Sequence, residues 1–214
     1  MAGRTATDSP TGRSVSSVGQ GSGDEVEQQL TAAEAVLARG GYAGLRVDDV
    51  LDEAGLSTRA FYRHFRGKSE LFLALFDREA ALAGERLRRK VAAARSPAEK
   101  VEAWVAATLA LAYDARVARR TRVFLVERQV IAAEFPDDVI RCVRQQLAPL
   151  ESAIDDGRSS GAFPAAEPER DALAIHHLCS GLMTDKLLGT GTLGRDNAVA
   201  LATRFALATL RSDA

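Results

Sequence analysis

Val47-Asp-Asp-Val-Leu-Asp-Glu-Ala-Gly-Leu-Ser-Thr-Arg-Ala-Phe-Tyr-Arg-His-Phe-Arg-Gly-Lys68 reads as two short helices joined by a tight turn. Val47, Val50, Leu51 and Ala54 recur at helical spacing and give the first helix one apolar stripe. Gly55 ends it, because glycine takes the left-handed conformation of a helix C-terminus without strain. Leu56 faces inward from the turn. Ser57 is placed to cap the second helix by accepting from a backbone N–H that would otherwise go unpaired. Phe61 and Phe65, four apart, share the buried face, and Thr58, Arg59, Tyr62 and Arg63 share the outer one. Between Ser57 and Lys68 stand four cations (Arg59, Arg63, Arg66, Lys68), one histidine (His64) and no carboxylate.

A compact helical pair whose second helix is cationic suits the major groove of duplex DNA, which admits one helix. A helical hairpin with a merely solvated basic face is the alternative. Glycine turn, serine cap, aromatic core and segregated charge coincide here, and together they favour the duplex. Residues 24–70 hold nine acidic and six basic side chains, and four of those six lie between Ser57 and Lys68. A chain of net charge −1 is no polycation, so its attraction for nucleic acid has to come from such a local patch.

Ala54-Gly-Leu-Ser-Thr-Arg-Ala-Phe-Tyr-Arg-His-Phe-Arg-Gly-Lys-Ser-Glu-Leu71, with Gly40-Gly-Tyr-Ala-Gly-Leu-Arg-Val-Asp-Asp-Val50 upstream, resembles the signature of tetracycline-repressor-type (TetR) transcriptional regulators. The resemblance extends from Val26 to Leu75. It implies that Tyr62, His64 and Lys68 lie at the DNA backbone and that Thr58, Arg59 and Arg63 face the bases. The family usually has Ser or Thr where this chain has Arg46, at the cap of the first motif helix. Arginine does not cap in that way, though its length suits a phosphate. The DNA-facing set expected is therefore Arg46, Ser57, Thr58, Arg59, Tyr62, Arg63, His64 and Lys68.

With 214 residues, 46% of them hydrophobic, the chain can bury a sizeable core in one or two domains. No apolar run reaches the ~18 residues that suggest a membrane span, and no signal peptide opens the chain. A cytoplasmic protein without a membrane partner is expected. Cys142 and Cys179 lie in apolar helical stretches and are expected as buried free thiols.

Residues 1–23 are rich in Ser, Gly and Thr, and such a segment buries too little to offset its ordering entropy. A disordered tail is expected there, with Arg4 and Arg13 as its cations. Val26 to Arg39 forms a helix that Gly40-Gly41 stops, completing a three-helix head over residues 24–70. Residues 71–214 form a helical body. Lys68 opens a long helix toward Arg95, and Pro97 suits the first position of the next. That helix carries Val101, Trp104, Val105, Thr108 and Leu111 and ends between Asp114 and Arg119. Arg122–Ala133, Asp137–Asp156 with Pro149 inside, Pro168–Leu188 and Arg195–Arg211 follow.

No glycine-rich phosphate loop, nucleophile elbow or paired CxxC is present, so neither an enzyme nor a cofactor is expected. His176 and His177 point about 100° apart on a helix and do not face one metal. Arg116, Arg119, Arg120 and Arg122 read as a solvated helix end, with a site for a phosphorylated or coenzyme-A-linked ligand as the alternative. Glu127 and Arg128 interrupt an apolar run, so they either pair internally or face a cavity. Trp104, Thr108, Tyr113, Phe124 and Cys142 on nearby helices are candidates for the same cavity, which suits a small, mostly apolar effector. A satisfied salt bridge beside ordinary core aromatics is the alternative.

The last two helices carry Ile175, Leu178, Cys179 and Leu182, then Val199, Ala202, Phe205, Ala206 and Leu210, laced with small residues. That pattern suits an internal core or a dimer seam equally, and the resemblance implies the seam. The expectation is an all-α regulator of two domains. It is a homodimeric repressor on double-stranded, inverted-repeat operator DNA, released by a small-molecule effector. An activator on the same scaffold is one alternative. A helical binding protein or enzyme with a vestigial head is another.

Overall fold

The computed structural model describes residues 17–212, with side chains described from Gly23 onward except at Arg116. Among the described residues there are nine helices and no strand. They are α1 (Ser17–Gly40), α2 (Val47–Ala54), α3 (Thr58–Tyr62), α4 (Lys68–Ala92), α5 (Pro97–Tyr113), α6 (Ala115–Glu134), α7 (Pro136–Ser159), α8 (Pro168–Leu188) and α9 (Arg195–Arg211). No helix among them is long and apolar enough to cross a membrane.

The head is built as its pattern dictates. Val50, Leu51 and Ala54 of α2 are buried, Gly55 takes φ 65°, and Ser57 Oγ accepts from Ala60 N at 3.3 Å. Phe61 is fully buried and Phe65 nearly so, in one cluster with Leu30, Ala33 and Leu37 of α1. Two glutamines of α1 add ties that the apolar pattern does not announce. Gln28 Nε2 donates to Ala54 O at 2.8 Å and Gln29 Nε2 to Ala60 O at 3.3 Å, fixing α1 across the ends of α2 and α3.

The head's core does not stop at residue 70. Leu71, Phe72 and Leu75 of α4, Ile131 of α6 and Val139 of α7 belong to the same buried cluster. The second cluster lies in the body, around Trp104, Leu109, Leu150, Ile154 and Phe163. The helix α4 thus serves both: it starts in the head and packs along α5 and α7.

Two helices start earlier than their apolar stripes predict. α1 begins at Ser17, so Ser17–Gly23 of the expected tail is helical. Gly19, Gly21 and Gly23 give that turn no stripe, and helix propagates into it from the apolar turns downstream. Residues 1–16, with Arg4 and Arg13, lie outside the described residues. α6 begins at Ala115, because the chain reverses in a single tight turn: Val117 N and Ala118 N both donate to Asp114 O, at 3.1 and 2.8 Å. α5 opens on a full capping box between Ser96 and Glu99 with Pro97 in its first turn. α7 continues through Pro149. Beyond it the chain folds Phe163 over Gly157, where an added Cβ would lie 2.0 Å from the ring. Only glycine allows Phe163 to be fully buried there.

Candidate nucleic-acid interface and effector cavity

Thr58, Arg59 and Tyr62 stand exposed on the outer side of α3, Tyr62 at 59%. Arg59 forms no ion pair with any described residue. Arg46 occupies the N-cap of α2 in an extended conformation, makes no capping hydrogen bond, and is exposed. The other members of the expected set are already engaged. Arg63 Nη1 pairs with Glu25 Oε2 at 2.8 Å, and His64 Nε2 lies 3.0 Å from the same oxygen. The His64 hydrogen bond, with Arg63 beside it, holds the Glu25 carboxyl below its ordinary range. Lys68 Nζ sits 4.4 Å from the centre of the Tyr42 ring. α3 therefore presents one free arginine, and the arginine one turn on is held by a carboxylate of α1. Nothing in the spacing links Glu25 to this face, since it approaches across the fold.

Behind the head, α4 to α8 line a half-open cavity of about 150 Å³. Phe76, Ala80, Leu111, Phe124, Val143 and Met183 are among its apolar lining, and Glu79, Thr108, Arg128 and His176, with Thr121, Gln146 and Ser180, are its polar groups. It borders an outer groove of about 580 Å³, and Arg128, Val143 and His176 line both. Arg144, Arg170, Glu151 and Glu169 line that groove as well.

Of the residues expected at one cavity, Thr108, Phe124 and Arg128 meet there. The other four lie elsewhere. Trp104 is fully buried in the body core, where its Nε1 donates to Gln146 O at 3.0 Å. Its ring centre lies 6.3 Å from that of His176, one layer behind the wall. Tyr113 donates its hydroxyl to Leu193 O and carries Lys186 over its ring. Cys142 turns toward α4, with Sγ donating to Asp77 Oδ1 at 2.9 Å. Burial, then Asp77, pushes its thiol up to about 12. Glu127 does not pair with Arg128. Neighbours on a helix diverge by about 100°, so Arg128 faces the cavity and Glu127 faces the head near Gly41. The adjacent histidines diverge likewise, His176 buried and His177 exposed.

The polar groups of this cavity are short of partners. Among the described residues five buried side-chain atoms lack a hydrogen bond, and Glu79 Oε1, Thr108 Oγ1 and His176 Nδ1 are three of them. Burial, with Arg128 and His177 adding their charge, pulls the His176 imidazole down to about 4, so it is neutral near pH 7. Burial raises the Glu79 carboxyl, and Arg120 opposes that shift.

Two chains of contacts lead from the cavity to the head. Phe124 stacks on Phe72, their centres 5.5 Å apart and planes 12° apart, and Phe72 meets Tyr42 at 4.7 Å, beneath Lys68. The second chain is ionic. Glu79 Oε2 pairs with Arg120 Nε at 3.1 Å, Arg120 also pairs with Glu34 of α1, and Glu34 binds Arg78 at 2.7 Å. Arg119 Nη2 donates to Ala38 O at 2.5 Å. Arg119 and Arg120, expected as a solvated helix end, instead tie α6 to α1, because the early start of α6 brings its first turns beside the head. Arg122 remains exposed.

The candidate seam divides by helical face. Ile175, Cys179, Ala202, Ala206 and Leu210 are buried inside the subunit and belong to the body core. Val199 is half-buried in a groove beside α5. Leu178 and Leu182 are half-buried, and Phe205 (54%) and Leu188 (50%) are exposed. Phe205 and Leu188 leave apolar surface open on α9 and α8, while Leu178 and Leu182 also pack in part against the body core.

The family model for bacterial regulatory proteins of the tetR family matches residues 30–75. An uncharacterized HTH-type transcriptional regulator of Lactococcus lactis subsp. lactis is 39% identical over 51 residues, which are 24% of this chain and 26% of that protein. The chain thus matches about a quarter of that relative's length. The whole fold is similar to that of FadR from Bacillus subtilis, solved in complex with stearoyl-CoA. The TM-score is 0.67 at 18% identity, covering 87% of this chain and 97% of that one. It is also similar to AibR, solved in complex with isovaleryl coenzyme A and operator DNA. There the TM-score is 0.62 at 15% identity, over 85% and 97% of the two chains. At such identities the likeness is one of fold.

Proposed function

The head of this chain is that of a TetR-type transcriptional regulator, and from that premise we propose a function for the whole molecule. It is a ligand-responsive repressor that binds an inverted-repeat operator as a homodimer and leaves it when a small, mostly apolar molecule fills the cavity. One observation carries this reading. A capped helix offers Thr58, Arg59 and Tyr62 exposed to solvent, and a cavity with unsatisfied polar groups among the described residues lies behind its core. The open face of α8 and α9 supports a two-fold dimer, whose half-sites would lie about one helical turn of DNA apart or a multiple of it. The coenzyme A thioesters bound by two proteins of this fold support small-molecule control of such a body.

An effector shifts the equilibrium only by binding one spacing of the two heads better than the other. Moving occupancy from 99:1 to 1:99 takes about 5.5 kcal/mol of differential binding. Filling the cavity presses Phe124, and through it Phe72 and Tyr42 at the foot of α4. It also disturbs Glu79, whose partner Arg120 holds Glu34 of α1. The first route ends beneath Lys68 of the DNA-facing set, and the second at α1, whose Glu25 holds Arg63 and His64. Selection from a pool of random duplexes at low salt tests the function. Enrichment of a dyad-symmetric motif is expected, and a pool that converges on no motif rules out an operator-binding regulator.

A further inference from the structure

We propose that the effector is an organic acid: an apolar body seated in the inner cavity, with a carboxylate held by Arg128 at the junction with the outer groove. The inference rests on the regulator function above and names the ligand of its cavity. Its starting point is Arg128. A guanidinium keeps its charge at any physiological pH, and this one is half-buried, lines both spaces, and forms no ion pair with a described residue. A partly desolvated, unpaired cation is unfavourable, and an anion of matching geometry removes the deficit. Carboxylate fits the planar fork of arginine with two parallel hydrogen bonds.

The surroundings narrow the class. A carboxylate in the same wall, Glu79, would repel an anion, but Arg120 already answers its charge. His176 beside Arg128 is neutral near pH 7 and adds no second positive charge. Its Nδ1 and the Thr108 hydroxyl lack partners and stand ready to bond the polar end of a ligand. The remaining wall is mostly aliphatic and aromatic, with Thr121, Gln146 and Ser180 as its other polar members, and about 150 Å³ accepts a body of roughly benzene's size. A neutral or cationic molecule of the same shape would leave Arg128 unpaired.

The test uses the full chain, with the fluorescence of its single tryptophan as readout, since Trp104 packs against His176. Octanoate, phenylacetate and benzoate are titrated beside 1-octanol and octylamine, 2-phenylethanol and 2-phenylethylamine, benzyl alcohol and benzylamine, and octanoyl coenzyme A. At least one acid should saturate the signal, and the alcohol or amine of the same body should bind at least about tenfold more weakly. Arg128→Met should lose the acid by a similar factor. Arg128→Lys, which keeps the charge and loses the fork, should fall between. Equal binding of the alcohol or amine of the same body overturns the proposal. So does retention of the acid by a folded Arg128→Met, binding of the thioester without any free acid, or silence from every acid. Affinity for the selected duplex is measured separately. If the duplex binds and the acids fail, this inference alone falls. If the acids bind through Arg128 and no duplex does, the regulator function falls and this inference stands.

Discussion

Arg59 and Arg63 stand four apart on one face, yet they meet a duplex on different terms. Arg59 has no ion-pair partner among the described residues, whereas Arg63 must first exchange the Glu25 carboxylate for a base or phosphate. Arg59→Ala is therefore expected to relax base preference at one position of the selected motif and to cost about 1–3 kcal/mol there. Lys68→Ala should weaken all sequences alike; anisotropy against a panel of single-base variants separates the two. His176 carries a prediction of another kind. Its imidazole titrates near 4 in the fold, below its ordinary 6.5. Below about pH 6.5 the unfolded chain takes up a proton that the native ring refuses. Stability is then intact at pH 7 and declines as pH falls toward 4, by up to about 1.4 kcal/mol per unit. Urea unfolding of His176→Leu at pH 7 and 5 should show a flatter pH dependence than the unsubstituted chain. At this scale the sequence was most legible where partners are local: Ser57, Gly55 and Phe61 read directly from spacing. Glu25, Glu79 and Gln29 did not, because their partners arrive from elements far away in the chain.

α4 and α6 join the two halves, and their legibility differs for a physical reason. α4 announces itself through the apolar run from Leu71 to Phe76. The first turns of α6 are polar and arginine-rich, so no stripe marks them, and they are helical because the turn at Asp114 lets Arg119 and Arg120 reach α1. The helix end expected at Asp156 falls short in the same way, since α7 runs on through Gly157, on which Phe163 packs. The ionic chain through Arg120 is open to a double-mutant cycle. Ala83 lines the cavity, and Ala83→Phe occupies the space without any ligand. The loss of duplex affinity caused by Ala83→Phe should shrink by about 0.5–2 kcal/mol in an Arg120→Met background. Equal losses in both backgrounds would mean that the coupling bypasses Arg120.

For the whole molecule, the all-α architecture follows from hydrophobic periodicity. The extent of the head's core and the choice of outer face on α8 and α9 do not. Five of the nine residues expected at the seam pack inward, because an alanine-rich helix offers two apolar faces and sequence spacing does not say which is covered from within. Phe205 and Leu182 remain on the open side. Phe205→Glu is expected to give a monomer by light scattering, with intact helicity and with tight duplex binding lost; a dimer that persists would move the seam elsewhere. The central claim is that occupancy of the cavity and grip on the operator are linked. The most direct measurement is the affinity of Ala83→Phe for the selected duplex at fixed salt, once its melting temperature and mass match those of the unsubstituted chain. Binding at least about tenfold weaker is predicted, within the usual range of allosteric coupling. Unchanged affinity, with the phenylalanine ring seen inside the cavity, would contradict the account.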